Sequence, residues 1–192
     1  EVFGLDLVAE QIRVAAGAAL GREPSSPVGH AVEVRLYAED PADDWQPQTG
    51  TIRTFDVPAG VRVDSAVESG SLVGIHYDAM IAKVVAHGDD REQAVRLLGD
   101  ALRRTRIHGV TTNIDLLRGI LADEEFGAAR IHTALLDERL DAWSKPSLDE
   151  HAVRKSALAA ALAEATNATA EARVLGRSPT AYRNVPSQPL TR

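Results

Sequence analysis

Gly29-His30-Ala31-Val32-Glu33-Val34-Arg35-Leu36-Tyr37-Ala38-Glu39-Asp40-Pro41 is the stretch on which the reading of the fold turns. Its centre alternates with a period of two, the spacing of a strand with one buried face. Val32, Val34, Leu36 and Ala38 fall on one side, and Glu33, Arg35 and Tyr37 on the other. The apolar set suits a core. The polar set puts an acid, a guanidinium and a phenol in one row, about 6–7 Å apart along the strand. Gly29 and Asp40-Pro41 punctuate the ends. A guanidinium held on a rigid strand suits a planar anion, because its fork of N–H donors meets carboxylate or phosphate bidentately. The same pattern describes an ordinary edge strand with a solvated polar face, and periodicity alone leaves both readings open.

Outward from this strand, turn signals and apolar runs continue. Residues 40–50 form a polar loop with two prolines, and Trp45 is expected to pack beneath it. Residues 51–56 read as a strand, Pro58-Ala59-Gly60 as its turn and residues 61–64 as the returning strand. Residues 67–73 read as a further short strand pair around Ser69-Gly70. Residues 80–86, Met-Ile-Ala-Lys-Val-Val-Ala, are the most apolar strand and are expected at the sheet's centre.

Helical patterns flank these strands. Before them, Leu5, Val8, Ile12 and Ala15 share one face of a helix between Gly4 and Gly17, followed by a loop over residues 21–28. After them, Asp89 or Asp90 caps a helix whose apolar face is Ala94, Leu97, Leu98, Ala101 and Leu102, with Arg103, Arg104 and Arg106 at its end. A short strand over residues 107–110 leads to a capping-box-like start at Thr112-Asn113-Ile114-Asp115, a helix through Leu121, and a last short helix over residues 131–140. The fold class expected is α+β: an antiparallel, hairpin-rich sheet covered by helices. Composition shifts after Trp143. Ser144-Lys145-Pro146-Ser147 reads as a linker, and residues 151–169 as an alanine-rich helix that is marginal without a partner. We therefore expect a first domain over residues 1–143, and a linker, helix and start of another domain over 144–192.

Composition narrows the classes of function. The 192 residues carry a net charge of −7, with 44% hydrophobic and 26% charged residues, which describes a globular chain with a real core. Acidity without a basic cluster argues against a nucleic-acid surface. No apolar run reaches the length of a membrane span and no signal-peptide pattern opens the chain. Cysteine is absent, so disulfides and thiolate metal sites are excluded, in keeping with a cytoplasmic location. The six histidines, His30, His76, His87, His108, His132 and His151, show no ligand spacing, and Gly70-Ser71-Leu72-Val73-Gly74 lacks the lysine and context of a phosphate loop. No acidic pair suggests a magnesium site. The opening at Glu1 rather than Met suggests a piece of something longer.

Four blocks carry a family resemblance. Gly-His-Ala-x-Glu-x-Arg-x-x-Ala-Glu-Asp-Pro at residues 29–41 resembles the signature that opens the C-terminal domain of biotin carboxylases, the ATP-grasp components of acetyl-CoA, propionyl-CoA and related carboxylases. Gln46-Pro47-Gln48-Thr49-Gly50-Thr51-Ile52 resembles the family's Pro-x-x-Gly turn and strand, His76-Tyr77-Asp78-Ala79-Met80-Ile81-Ala82-Lys83 its Tyr-Asp-x-Met-Ile-x-Lys block, and His108-Gly109-Val110-Thr111-Thr112-Asn113-Ile114 its Gly-x-x-Thr-Asn block. The four occur in the family's order, and similarity runs from Glu1 to about Arg139. Phe3 departs from the small polar residue usual there. Tyr182-Arg183-Asn184-Val185-Pro186-Ser187 resembles the start of the domain that joins carboxylase to carboxyltransferase in acyl-CoA carboxylases.

The resemblance implies a reaction and its participants. ATP activates bicarbonate, and the carboxyl group passes to N1 of biotin borne on a carrier domain. Arg35 matches the family arginine that stabilises charge on the ureido oxygen, which makes it the candidate catalytic and biotin-binding residue. Glu33 is expected to orient it rather than act as a base. Ile131 matches a residue that packs on the adenine of ATP, although a core isoleucine opening a helix fits the pattern equally. Arg62 matches a homodimer-interface residue, although a solvated strand residue fits too, and Asp78 is expected to be paired nearby. The implied cofactors are biotin, ATP and Mg2+, with the magnesium glutamates upstream of Glu1. The implied partners are the N-terminal and ATP-grasp parts of the same subunit, the carrier domain, a carboxyltransferase subunit and a second copy, with no nucleic acid and no membrane. Alone, the fragment is expected to be inactive. The rival reading is a noncatalytic dimerisation or docking module derived from a carboxylase.

Overall fold

The computed structural model describes residues 1–20, 26–144 and 149–171. In chain order the elements are α1 (Leu7–Ala15), β1 (His30–Tyr37), β2 (Glu39–Asp40), β3 (Gln46–Pro47), β4 (Gly50–Thr51), β5 (Thr54–Asp56), β6 (Arg62–Ser65), β7 (Leu72–Val73), β8 (Met80–Gly88), α2 (Arg91–Arg104), β9 (Arg106–His108), α3 (Ile114–Ala122), α4 (Glu124–Gly127), α5 (Leu135–Ser144) and α6 (Glu150–Glu171). This is an α+β arrangement in which every strand pair is antiparallel. The sheets are small. The largest has three strands in the order β1-β8-β6, and the three others have two strands each.

The apolar run at β8 is central, as its composition predicts. Ile81, Ala82, Val84, Val85 and Ala86 are all buried, for β8 is paired along both edges, while Lys83 and His87 reach solvent. β1 keeps its alternation: Val32, Val34 and Leu36 face the core while Glu33 and Arg35 face outward. The β1 register runs from His30 opposite Gly88 to Tyr37 opposite Met80, with a bulge between Leu36 and Tyr37. Gly29 starts this strand at φ +70°, where a Cβ would run into the Gly88 carbonyl oxygen, so only glycine fits the turn. α2 lies against β8 and β1 through Ala94, Leu98 and Leu102. Asp90 caps it, accepting a hydrogen bond from the Gln93 N–H at 2.8 Å.

Several local expectations change. Residues 51–56 do not form a hairpin with residues 61–64, for β5 pairs with β9 and β6 with β8. The chain kinks at Ile52-Arg53. Ile52 is fully buried, its N–H donates to Ser71 O at 2.9 Å, and the Arg53 N–H donates to His108 O at 2.7 Å. The strand thus changes partners at Ile52. Pro58-Ala59-Gly60 therefore joins two sheets rather than two hairpin strands. In residues 67–73 only Leu72 and Val73 are a strand; Ser71 closes the turn before them, its Oγ accepting from the Glu68 N–H at 3.0 Å. α1 is shorter than expected, and its Leu7, Val8 and Ile12 are exposed. The last helix of the sheet-bearing unit starts at Leu135 rather than 131. Trp45 is half-buried, with φ +59°.

The chain divides into two units, Glu1–Pro146 and Ser147–Arg192. In the second, α6 has no buried residue. The loop read at residues 21–28 and the linker at 144–147 lie partly outside the described residues, and residues 182–187 wholly so. No described helix is long and apolar enough to cross a membrane.

Candidate functional site

The outer face of the three-stranded sheet collects Glu33, Arg35 and Arg62. Antiparallel register sets the rows. Arg35 lies opposite Lys83, which lies opposite Asp64; Glu33 lies opposite Val85, which lies opposite Arg62. Ion pairs run along the strands, across one row and diagonally between the rows. Arg35 Nε is 3.7 Å from Glu33 Oε1, and Lys83 Nζ is 4.0 Å from Glu33 Oε2 and 3.1 Å from Asp64 Oδ2. Arg62 forks onto Asp64 at 3.0 and 3.1 Å and reaches Glu1 Oε1 at 3.2 Å. The charges alternate in sign from Arg35 through Glu33, Lys83, Asp64 and Arg62 to Glu1. Val85, in the middle of this face, is only 8% exposed, because long charged side chains lay their stems over it. A shallow polar depression of about 320 Å³ opens among Glu1, Glu33, Arg62 and Lys83.

The electrostatics favour a permanently charged Arg35. The Tyr37 phenol first, and then the Glu33 carboxylate, raise its pKa above the ordinary arginine value. Asp64 is held below the usual aspartate range by Arg62 first and Lys83 second. Asp64 and then Glu1 raise Arg62 in turn. Arg35 keeps 62% of its side chain exposed. Its strand is anchored from behind by a fully buried Leu36, so the guanidinium is presented outward from a fixed base.

Asn113 escaped the sequence reading as anything but a helix start. It stands at the N-cap position of α3 but makes no side-chain capping bond. Its amide turns instead to β1. Oδ1 accepts from the Tyr37 N–H at 3.0 Å, Nδ2 donates to Arg35 O at 3.1 Å, and its own N–H donates to Tyr37 O at 3.2 Å. The residue is 5% exposed. The signal available was an asparagine in the Thr111-Thr112-Asn113 block, and the pairing across 76 to 78 residues was not readable from local pattern.

The remaining candidates lie apart from the polar face. Ile131 is 54% exposed on the segment between α4 and α5, neither buried nor helical, so the core reading of it fails. Asp78 closes a turn into β8, its Oδ1 accepting from the Met80 N–H at 2.7 Å. Among the described residues no group of three His, Asp or Glu side chains could hold a metal ion. A larger groove of about 730 Å³ runs beside α2 and α3, past Glu92, Arg96, Asp100 and Arg118, and shares no residue with the polar face. Chemically, the polar face offers a solvent-exposed cation held beside Tyr37 and Glu33. It can hold a planar oxyanion or oppose negative charge that develops on a carbonyl oxygen.

Comparison with known proteins gives these residues a context. Residues 33–138 match the family described as the biotin carboxylase C-terminal domain. A biotin carboxylase of Allochromatium vinosum is 44% identical over 137 residues, which are 68% of this chain and 30% of that protein. A urea amidolyase of Lachancea kluyveri is 41% identical over 138 residues, 71% of this chain and 8% of that protein. The biotin carboxylase domain dimer of the Hydrogenobacter thermophilus 2-oxoglutarate carboxylase, solved with MgADP, ADP and bicarbonate, superposes with a TM-score of 0.71 at 34% identity, covering 76% of this chain and 33% of that one. The chain thus spans less than a third of the length of each. With four ordered blocks, the antiparallel sheet and the family match in agreement, the chain belongs to the biotin carboxylase C-terminal domain family.

Proposed function

We propose that this domain supplies the biotin-facing cation of a larger ATP-dependent biotin carboxylase, the first half-reaction of an acyl-CoA carboxylase. In that reaction ATP activates bicarbonate and a ureido nitrogen of carrier-bound biotin takes up the carboxyl group. The observation that carries the reading is Arg35: a half-exposed guanidinium, kept charged by Tyr37 and Glu33, on a strand whose other face is sealed in the core. A fixed cation at the ureido oxygen opposes charge that is present only as the nitrogen becomes nucleophilic, so its effect falls on the barrier rather than on ground-state binding. Glu33, 3.7 Å from the guanidinium, orients it. It is already engaged by Arg35 and Lys83, which does not suit a base.

Other roles are part of the same proposal. The exposure of Ile131 fits an apolar surface for the adenine of ATP. Arg62 lies on the edge strand of the sheet, where a second subunit has access, and fits a homodimer contact. On this reading the Mg2+ ligands belong to the ATP-grasp part of the subunit, and the fragment alone is inactive. The partners are that ATP-grasp part, a biotin carrier domain and a carboxyltransferase subunit, in the cytoplasm. The acyl-CoA reading rests on residues 182–187, since the relatives include a urea amidolyase and a 2-oxoglutarate carboxylase.

The test is Arg35→Ala in the complete subunit, followed by two assays, bicarbonate-dependent ATP hydrolysis and biotin carboxylation. Loss of one transition-state donor costs about 2.7–4 kcal/mol, roughly 10²- to 10³-fold in rate. That loss is expected in carboxylation, with ATP hydrolysis surviving. Two unchanged activities in a folded subunit would make Arg35 a structural ion-pair residue and favour the docking-module reading.

A further inference from the structure

We propose that Asn113 is the residue that positions Arg35. This rests on the reading of Arg35 given above and extends it to a side chain that touches neither biotin nor ATP. β1 is an edge strand, so only β8 sets its register, and that ladder is irregular between Leu36 and Tyr37, within two residues of Arg35. Ile81 of β8 is the extra residue there, standing between the partners of Leu36 and Tyr37, and such a bulge bends the ladder and weakens its hold on the flanking backbone. At that point the chain supplies a substitute. The Asn113 amide presents one acceptor and one donor to the free edge of β1, as a neighbouring peptide group would, and takes the Tyr37 N–H and the Arg35 carbonyl at 3.0 and 3.1 Å. Its own N–H takes the Tyr37 carbonyl at 3.2 Å. Three bonds thus bracket the bulge on the side that β8 does not reach.

The geometry makes this more than ordinary satisfaction of polar groups. Asparagine at the start of a helix normally caps it, and here the cap is forgone. With 5% exposure, Asn113 has no alternative solvent partner to exchange with. The bond to the Arg35 carbonyl acts on the backbone of the residue whose side chain must point at the substrate, so a small rotation there swings the guanidinium through a longer arc. The Tyr37 phenol and the Glu33 carboxylate at 3.7 Å act on the guanidinium itself, whereas the Asn113 bond acts on the backbone that carries it.

The experiment uses the complete subunit with Asn113→Ala, Arg35→Ala and the double variant. The readout is the ratio of biotin carboxylation to bicarbonate-dependent ATP hydrolysis in the folded enzyme. Asn113→Ala is expected to lower that ratio ten- to a hundredfold, with ATP hydrolysis within twofold of the parent and no further loss when added to Arg35→Ala. A merely structural role would lower both activities together and add its loss to that of Arg35→Ala, and this result would overturn the proposal. Asn113→Asp keeps the volume and the acceptor but removes the donor to Arg35, and serves if the alanine variant does not fold. Failure of both to give folded subunit would assign Asn113 to stability and also overturn it. If Arg35→Ala leaves carboxylation intact, the reading of Arg35 itself fails. If Arg35→Ala abolishes carboxylation while both Asn113 variants retain it, only the positioning role fails.

Discussion

Replacing Leu36 by alanine tests whether the site's strand is pinned from behind. Leu36 is fully buried, in one cluster with Val34, Val84, Leu98 and Leu102, and it stands beside Arg35 with its side chain on the opposite face. Losing Cγ and both Cδ methyls forfeits about 2.4 kcal/mol of transfer free energy at about 0.8 kcal/mol per carbon. The hole cannot fill easily, because its walls come from two strands and a helix held by separate hydrogen-bond ladders. The total cost is therefore about 3–5 kcal/mol. Urea unfolding of the chain, followed by far-UV circular dichroism, reads this directly. At an m-value of about 1–3 kcal/mol/M, a loss of about 3 kcal/mol moves the midpoint down by about 1–3 M. Leu36→Met conserves most of the volume and is expected to cost under about 1.5 kcal/mol. Leu97→Ala serves as a control at the neighbour of Leu98, a side chain turned out of the core and 36% exposed, and costs less than Leu36→Ala. A Leu36→Ala loss below about 1.5 kcal/mol at unchanged m would refute the claim that the core fixes β1, and with it the fixed base from which Arg35 is presented.

Two further predictions concern charged groups. Arg91 donates to Phe126 O at 2.6 Å and Gly127 O at 3.2 Å and lies 4.9 Å over the Phe126 ring, so Arg91→Ala strips partly buried carbonyls of their partners and costs about 1–3 kcal/mol by thermal unfolding, with Arg91→Lys restoring little of it. The Asp64 carboxyl is depressed by Arg62 and then Lys83, so its NMR titration midpoint lies below the ordinary aspartate range and rises more on Arg62→Met than on Lys83→Met. The sign follows from linkage: a carboxylate with a lower pKa folded than unfolded stabilises the fold above the unfolded value, and that stabilisation fades as pH falls through the folded one. Added salt weakens it, since Arg62, Asp64 and Lys83 all remain partly open to solvent.

Much of this was legible because burial leaves a periodic trace. The alternation of residues 32–38, the apolar run of β8 and the helical spacing of Ala94, Leu98, Ala101 and Leu102 follow from one face meeting the core. Strand partnership was not legible in the same way. Residues 51–56 and 61–64 looked like a hairpin because Pro58-Ala59-Gly60 is good turn chemistry, but a turn specifies a reversal and not a pairing. The switch at Ile52 depends on Ser71 and His108, which no local window contains. At the site, Arg35 and Glu33 were readable from spacing and family likeness. Lys83 and Asp64 became their neighbours only through register, and Asn113 only through a contact from the start of another helix.

The order β1-β8-β6 also bears on synthesis. The strand that carries Arg35 leaves the ribosome before either of the segments that hold it. Its ladder partner β8 ends at Gly88, and the amide that clamps the Arg35 carbonyl belongs to a residue 78 positions later. At about 5–20 residues per second, that residue follows Arg35 by about 4–16 s. Until Gly88 has been made, an alternating strand has both edges open, and the edge that Asn113 takes stays open for the whole interval; open strand edges seek partners. Outward charged side chains such as Glu33 and Arg35 on an open strand disfavour pairing with the wrong neighbour.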